Sequence, residues 1–335
     1  MERDKRNANF RVQSLLILCL AGLAIFPAIA DDYYLHLIII CFIWAVVASA
    51  WNLIMGYAGI FSFAQLAFFA IGAYSSAILE CYSGLSPWLG LLAGGIMAGI
   101  AGFIIGIPCF RLRGLYIVLV TMAFHQVIPV FIKIGSKWTG GDVGMFAIPH
   151  YSIFGYNFGG GKIYYYYLTF ALFLGFNAAI YKIIRSKIGL AFVALRDSDT
   201  FAESLGVNRE KYNLIVFVIS AAITGVMGAV YVHYLQVATP RLLEIEIFVG
   251  TIMMVVIGGL GKFPGVIIAS FLVTFLNEFL RTAGAIRPIL FGGIIMAVIL
   301  LVPGGLSSLI EYIVGYRKKV TFSAFTKAQL PSNDT

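Results

Sequence analysis

The stretch KIGLAFVALRDSDTFAESLGVNREKYNLIVFVISAAITGVMGAVY, residues 187–231, decides how the rest of this chain is organised. Charges of both signs run through its first half, and its second half is a nearly continuous apolar run of membrane-spanning length. Most of the remaining chain consists of such apolar runs, so the charged segment stands out. Two interpretations fit it: a buried loop that transmits motion, or an ordinary solvated connection.

The composition is that of an integral membrane protein. Of the 335 residues, 61% are hydrophobic and 11% are charged, and the mean hydropathy is +0.94. In soluble domains about a quarter of the residues are charged. Backbone groups in lipid must be paired within their own segment, which favours helices. The runs lack the alternation of apolar and polar residues that is typical of membrane β-strands.

The sequence therefore predicts an all-α, polytopic bundle of transmembrane helices. About ten spans are expected, at residues 14–30, 35–55, 59–79, 86–110, 114–134, 164–184, 212–235, 245–261, 264–281 and 287–305. The first run follows a basic head, as a cleaved signal does, but the immediate start of a second span favours a retained anchor. The stretch after Gly56 could instead be re-entrant.

The basic residues predict the orientation of the bundle. The N-terminal segment, Arg111 with Arg113, the segment 182–211 and the tail at 317–319 all fall on one side. The positive-inside rule makes that side cytoplasmic, and both termini are expected there. The same rule explains the net charge of +8 without a nucleic acid partner.

One membrane domain with two cytoplasmic ends is expected. Its parts are an N-terminal segment (1–13), the transmembrane domain (14–310) with an outer loop (135–163) and a cytoplasmic loop (185–211), and a C-terminal tail (311–335). The outer loop is rich in glycine and aromatic residues, which is typical of a docking surface. Disorder is the alternative for this loop.

Local signals predict two helices in the cytoplasmic loop. Thr200 with Glu203 forms a capping box, Gly206 is a suitable stop, and Asn208 starts the helix that becomes the next span. The short helix presents Phe201 and, four residues later, Leu205 on one face. This apolar pair fits a groove on a cytoplasmic partner, or else a turn that lies on the membrane surface.

Small residues at fixed spacing predict close contacts between helices. In one segment they form three pairs four positions apart, in offset registers, and in a second segment they recur every fourth position: Gly90 with Gly94, Gly95 with Gly99 and Gly102 with Gly106, and then Ala221, Gly225 and Ala229. The four cysteines, Cys19, Cys41, Cys81 and Cys109, show no close pairing and indicate neither a disulfide framework nor a metal site.

Several kinds of chemistry find no support in the sequence. No P-loop is present, because Lys162 and Lys262 are not followed by Ser or Thr. Acidic residues fall in connections, tails or near span ends, which weighs against an ion-coupled carrier. Scattered histidines offer no catalytic set, so an enzyme is not expected.

Five polar residues lie deep in predicted spans and are candidates for a translocation pathway. They are Asn52, Gln65, Thr121, His125 and Gln126. Polar side chains at such depth form hydrogen bonds between helices as often as they contact a substrate. Both interpretations stay open for each of them.

Six motifs, in this order, resemble one family. They are GYAGIFSFAQLAFFAIGAY (56–74), FRLRGLYIVLVTMAF (110–124), TGGDVG (139–144), the 186–234 region around the opening stretch, GGLGKFPG (258–265) and FGGIIMAVILLVPGGL (291–306). Over residues 35–310 the chain is similar to the permease subunit of branched-chain amino acid ABC importers.

The resemblance implies a transport subunit and not an enzyme, in the cytoplasmic membrane of a prokaryote. It implies a homologous second permease, two cytoplasmic ATPase subunits that hold ATP and Mg, and a periplasmic or surface-tethered binding protein. This chain itself would bind no cofactor. Urea or short amides are alternative substrates, and an ion-coupled carrier is a further alternative.

The resemblance also assigns the ATPase-coupling function to the cytoplasmic loop. With the apolar pair included, the coupling residues are Arg196, Asp197, Phe201, Ala202, Glu203, Ser204, Leu205 and Gly206.

Overall fold

The structure, a computed structural model, describes residues 22–28, 30–153, 156–301 and 305–307. The predicted N-terminal segment, the predicted C-terminal tail and most of the first predicted span lie outside these residues. Helices dominate the described part of the chain, and the prediction of an all-α bundle is confirmed.

The α-helices are numbered here in chain order. They are α1 (Asp32–Asn52), α2 (Gln65–Ser83), α3 (Pro87–Cys109), α4 (Leu115–Ile134), α5 (Ser136–Thr139), α6 (Lys162–Arg185), α7 (Lys187–Asp197), α8 (Asp199–Ser204), α9 (Arg209–Leu235), α10 (Ile245–Gly258), α11 (Phe263–Phe279) and α12 (Arg287–Leu301). A π-helical segment, Leu53–Tyr57, continues α1. Shorter 3-10 segments lie at Phe26–Ala28, Phe158–Gly160, Pro240–Leu243 and Leu280–Ile286.

Among the described residues, seven helices are long and apolar enough to cross a membrane. They span Asp32–Tyr57, Gln65–Ser83, Pro87–Cys109, Leu115–Ile134, Lys162–Arg185, Arg209–Leu235 and Phe263–Gly284. The predicted count of ten is not confirmed: among the described residues α10 has 14 residues and α12 has 15, whereas a perpendicular span needs about 20. The first predicted span falls mostly on residues that the structure does not describe.

α1 lies at the centre of the bundle. Almost all of its side chains from Leu35 onward are buried, and it packs against α6, α9, α10 and α11. Its sequence is compatible with this position, since a helix that is apolar on every side suits burial in a protein core or in lipid.

Small residues let α9 approach its neighbours closely, as their spacing predicts. α9 packs along α3 and α2. A Cβ atom added to Gly94 of α3 would lie 2.8 Å from the Gly72 carbonyl oxygen of α2 and 3.0 Å from the Ala229 Cβ of α9. A Cβ at Gly225 would overlap Ala98 and the Gly94 carbonyl oxygen. The three helices are therefore in backbone contact along this seam.

The two ends of the bundle differ. The end formed by Gly56, Leu112 and Gly261 carries α7 and α8 and is called the coupling end. The opposite end, called the loop end, carries the outer loop.

Short antiparallel strand pairs give the outer loop a defined structure. β1 (Met145–Phe146) pairs antiparallel with β4 (Val237–Ala238), and β2 (Ser152–Ile153) pairs with β3 (Tyr156–Asn157). Ile148 and Tyr151 are fully buried between them. Burial raises the pKa of the Tyr151 phenol well above its ordinary value, with smaller contributions from Tyr165 and Glu80. These strands were not predicted, since strands of two residues leave no periodic signal in the sequence.

Candidate functional site

The cytoplasmic loop of the sequence analysis folds into two successive helices, α7 and α8, before α9 begins. α7 was not predicted. The hydroxyl of Ser186 accepts the Gly189 N–H at its start, and the helix buries Phe192 and Leu195 against the bundle. Its contacts with α6, α9 and the π-helical segment hold it across the coupling end.

The N-cap of α8 lies two residues earlier than the predicted capping box placed it. Ser198, in an extended conformation, is the N-cap, and its hydroxyl accepts the Phe201 N–H at 3.3 Å. Thr200 lies inside the helix, so the predicted Thr200 cap is wrong. Glu203 lies three residues after Thr200, as a capping box requires, whereas Phe201 lies three residues after Ser198, so the extended backbone at Ser198 sets the cap and the sequence pattern does not.

The end of α8 and the start of α9 agree with the sequence signals. Gly206 has a φ of +86°, and its N–H donates to the Glu203 carbonyl at 3.0 Å. The left-handed conformation favours glycine at this stop. The Asn208 side chain then accepts the Lys211 N–H at 2.9 Å and caps α9.

Arg196 anchors the end of α7 to the bundle. Its Nη1 donates to the Gly56 carbonyl oxygen at 2.9 Å, and its Nε and Nη2 donate to Asp197 at 3.0 and 2.9 Å. Gly59, with a φ of +69°, lies so close that an added Cβ would be 2.5 Å from the Arg196 Cγ. The Arg196 side chain is thus confined between the loop and the backbone that follows α1.

A second arginine anchors α8. The Nε of Arg209 lies 3.1 Å from the Asp199 carboxylate, and its Nη2 donates to the Leu112 carbonyl at 3.1 Å. The Arg209 side chain is only 9% exposed, whereas that of Asp199 is 43% exposed. This ion pair ties α8 to the first turn of α9 and to the turn after α3.

One apolar pair projects from the anchored loop. Phe201 and Leu205 are 65% and 68% exposed, while Ala202 between them is fully buried. Glu203 and Ser204 are also exposed, and the Ser204 hydroxyl donates to the Phe201 carbonyl at 2.7 Å. The helix therefore presents an apolar surface on a rigid base, which suits a partner with a matching groove.

The π-helical segment lies at the centre of the coupling end. The Asn52 side-chain oxygen accepts the Gly261 N–H at 2.9 Å, and Gly261 has a φ of +72°. Gly56 packs on Gly261 so closely that an added Cβ would overlap it. One short stretch of backbone thus contacts Arg196 and the turn between α10 and α11.

Beyond this segment, residues 58–64 are not helical and turn back into the bundle. The Trp51 indole donates to the Ser62 carbonyl at 2.8 Å, and the Phe63 N–H donates to the Thr121 hydroxyl at 3.0 Å. The Phe248 ring contacts both Trp51 and Phe63, with centroids 5.6 and 5.3 Å apart. Non-helical backbone at membrane depth is stable only where protein surrounds it or where it lines a cavity.

The five pathway candidates occupy different environments. Thr121 and His125 are buried beside the helix break, and the His125 ring lies 5.3 Å from that of Phe248. Gln65 is buried and donates to the hydroxyls of Ser220 (3.0 Å) and Thr224. Asn52 bonds within the coupling end, as described above. Gln126 is exposed on α4.

A buried ionisable pair near the loop end was not predicted. The Glu80 carboxylate lies 3.2 Å from the His233 Nδ1, whose ring also bonds Ser76 and the Pro149 carbonyl. Both side chains are nearly inaccessible. The sequence signal was weak, since each residue lies near the end of its span, where polar residues are common.

Residues 33–303 match the family model described as the permease component of the branched-chain amino acid transport system. The chain belongs to this family. Family members are transport components and not enzymes.

Curated relatives of the permease carry related names. The chain is 28% identical over 317 residues to the high-affinity branched-chain amino acid transport system permease protein LivM of Escherichia coli strain K12, covering 88% of this chain and 75% of the relative. It is 24% identical to a probable branched-chain amino acid transport permease protein LivH of Methanocaldococcus jannaschii, over 72% of this chain and 79% of the relative. A nucleoside ABC transporter permease protein, NupC of Lactococcus lactis, is 24% identical over 48% of this chain and 55% of the relative. No solved structure matches the permease.

Proposed function

We propose that this permease imports branched-chain amino acids across the cytoplasmic membrane of a prokaryote. The observation that carries the proposal is the family match together with relatives named for branched-chain amino acid transport. The nucleoside permease among the relatives makes the substrate the point that needs testing first. Urea and short amides belong in the same substrate panel.

In this proposal the coupling end faces the cytoplasm. Arg111, Arg113, Arg196, Arg209 and Lys211 cluster there, which agrees with the positive-inside rule. A topology of ten spans with both termini in the cytoplasm requires α10 and α12 to cross with shortened or tilted apolar segments.

A cytoplasmic ATPase subunit docks on the Phe201 and Leu205 pair in this mechanism, and a second ATPase subunit serves a homologous second permease. ATP and Mg bind to the ATPase subunits. Closure of the ATPase pair moves α8, and Arg196 passes that movement to the backbone at Gly56. The helix break beside Thr121 and His125 then opens toward the side on which a binding protein delivers the substrate. Coupling requires that the loop contacts differ in free energy between the two states.

The exposure of the Gln126 amide supports the proposal that this residue lies beside the translocation pathway or against the second permease. Gln126 lies mid-helix on α4, among side chains that are largely apolar and exposed, such as Leu119 and Phe131. A polar group that faces hydrocarbon is unfavourable unless protein or water covers it.

The decisive experiment uses the complete transporter in proteoliposomes, with labelled L-leucine supplied on its binding protein. Leu205→Ala is expected to lower ATP-dependent uptake and transport-linked ATP hydrolysis about tenfold, the effect of losing about 1.4 kcal/mol of contact energy. Because Leu205 is exposed, the amount of folded permease should not change. Leu92→Ala on α3 is the matched control, since Leu92 is 59% exposed and lies outside the loop.

Two outcomes would contradict the proposal. Uptake that persists without ATP and disappears with an uncoupler would indicate an ion-coupled carrier. Equal uptake by the Leu205 and Leu92 variants would remove α8 from the coupling function.

A further inference from the structure

A cavity of about 330 Å³ opens near the loop end, between α1, α10 and α11. None of the five pathway candidates lines it. Its apolar wall comes from Leu37, Trp44, Met254 and Val273, all of which are otherwise buried. The cavity therefore presents an apolar surface that no side chain in the described part of the permease covers.

Charges of both signs surround the mouth of the cavity. Three carboxylates, those of Glu244, Glu246 and Glu278, line it together with the guanidiniums of Arg241 and Arg287. A site for a simple anion or a simple cation would concentrate one sign. Both signs over an apolar wall instead match a molecule that carries an ammonium, a carboxylate and an apolar side chain.

Arg287 is held in position for such a contact. Its Nε and Nη2 both donate to the Asn277 side-chain oxygen, at 3.1 and 2.7 Å. The Glu246 carboxylate lies 3.6 Å away, and the side chain of Arg287 is 29% exposed. A guanidinium has five N–H donors, so the contacts with Asn277 leave donors for a ligand carboxylate.

Glu278, another residue that lines the cavity, is also held in position. It accepts the Tyr33 hydroxyl at 2.9 Å and pairs with Arg281 at 3.0 Å, and its side chain is 22% exposed. A carboxylate has about four acceptor positions, and these contacts use two of them. An ammonium group can therefore join without breaking the existing bonds.

We propose that this cavity is a binding site for a free zwitterionic α-amino acid with a branched apolar side chain. The proposal rests on the proposed function, because the ligand is the substrate class of the permease. The carboxylate group meets Arg287, the ammonium group meets the acidic rim, and the side chain lies on Trp44 and Met254. The site lies near the loop end, where a binding protein would release the amino acid.

Substitution of Gly250 places a new side chain in the cavity. Gly250 lies in α10, lines the cavity and is buried, yet a Cβ added there would meet no atom within 4 Å. A side chain added at Gly250 therefore starts in open space at the cavity wall. Gly175 in α6 is the control, since it is also helical, has open space around it and does not line the cavity.

The first experiment measures ATP-dependent uptake of L-leucine by the complete transporter. Gly250→Leu is expected to lower uptake at least about tenfold, while Gly175→Leu stays within about twofold of the natural protein. If the natural protein takes up leucine and Gly250→Leu does so equally well, the cavity proposal fails and the proposed function stands. If the natural protein itself takes up no leucine, the proposed function fails.

The second experiment measures occupancy without transport, so it does not depend on the variant being active. A Gly250→Cys variant, made in a Cys81→Ser background because Cys81 is exposed, is labelled with a membrane-impermeant thiol reagent. Millimolar L-leucine should slow labelling several-fold, whereas L-leucinamide and N-acetyl-L-leucine, which each lack one charge, should not. Equal protection by the three compounds, or none by leucine, would overturn the assignment.

Discussion

The ion pair between Asp199 and Arg209 should decide how firmly α8 is held. We expect Asp199→Asn to weaken it, because the Arg209 side chain is 9% exposed and the atoms lie 3.1 Å apart. Breaking a fully buried pair costs about 3–5 kcal/mol, and an exposed pair contributes about 0–1 kcal/mol. Asp199 is 43% exposed, and Arg209 keeps its bond to the Leu112 carbonyl, so a loss of about 1.4 kcal/mol is expected.

Amide hydrogen exchange in the assembled transporter measures this loss directly. Local opening governs exchange of the α8 amides, including the Ala202 N–H that bonds the Ser198 carbonyl at 3.0 Å. A loss of 1.4 kcal/mol makes that exchange about tenfold faster.

Asp197→Asn is the matched control for this measurement. Asp197 is 64% exposed and pairs with its neighbour Arg196, which is 35% exposed. A surface pair of this kind predicts a change below about threefold. If both variants accelerate exchange equally, the Arg209 anchor is not what holds α8, and the reasoning from burial is wrong.

Three further predictions test the bundle. Gln65→Leu should lower the melting temperature of the purified permease by several degrees, because two buried hydroxyls lose a hydrogen-bond partner, which costs about 1–3 kcal/mol of stability in total. Gln126→Leu should instead lower uptake and leave the melting temperature unchanged. Gly225→Val should prevent stable folding, seen as aggregation in size-exclusion chromatography, because a Cβ there overlaps α3, while Gly175→Val should elute normally. Impermeant thiol reagents should label exposed Cys81 in intact cells, and labelling only after permeabilisation would reverse the proposed orientation.

Signals that are local in sequence predicted much of the permease. The Asn208 cap and the Gly206 stop were predicted because each depends on a side chain or a φ angle within a few residues. The small-residue seam was predicted because Gly94 and Gly225 belong to a repeated spacing on their own helices. Membrane-length apolar runs gave the helical class for the same reason.

Features that join distant parts of the chain could not be predicted. The bond from Arg196 to Gly56 links residues 140 positions apart, and that from Arg209 to Leu112 links residues 97 apart. Neither partner is marked in sequence, since both acceptors are backbone carbonyls, which every residue has. The break after α1 was predicted only as a re-entrant alternative, because its residues are as apolar as those of a span.

The geometry of the coupling end explains how a small loop could act deep in the bundle. Gly56 and Gly261 are in backbone contact, and Arg196 fits beside Gly59 with no room for a Cβ, so the end of α7 cannot shift without moving the π-helical segment. That segment is π-helical, a conformation that is rare and that often occurs at functional sites. The same stretch of backbone continues directly to Phe63, whose N–H donates to the Thr121 hydroxyl. In the proposed mechanism, we therefore expect motion applied at Arg196 to reach the helix break along this continuous backbone, without a relay through the packed helices.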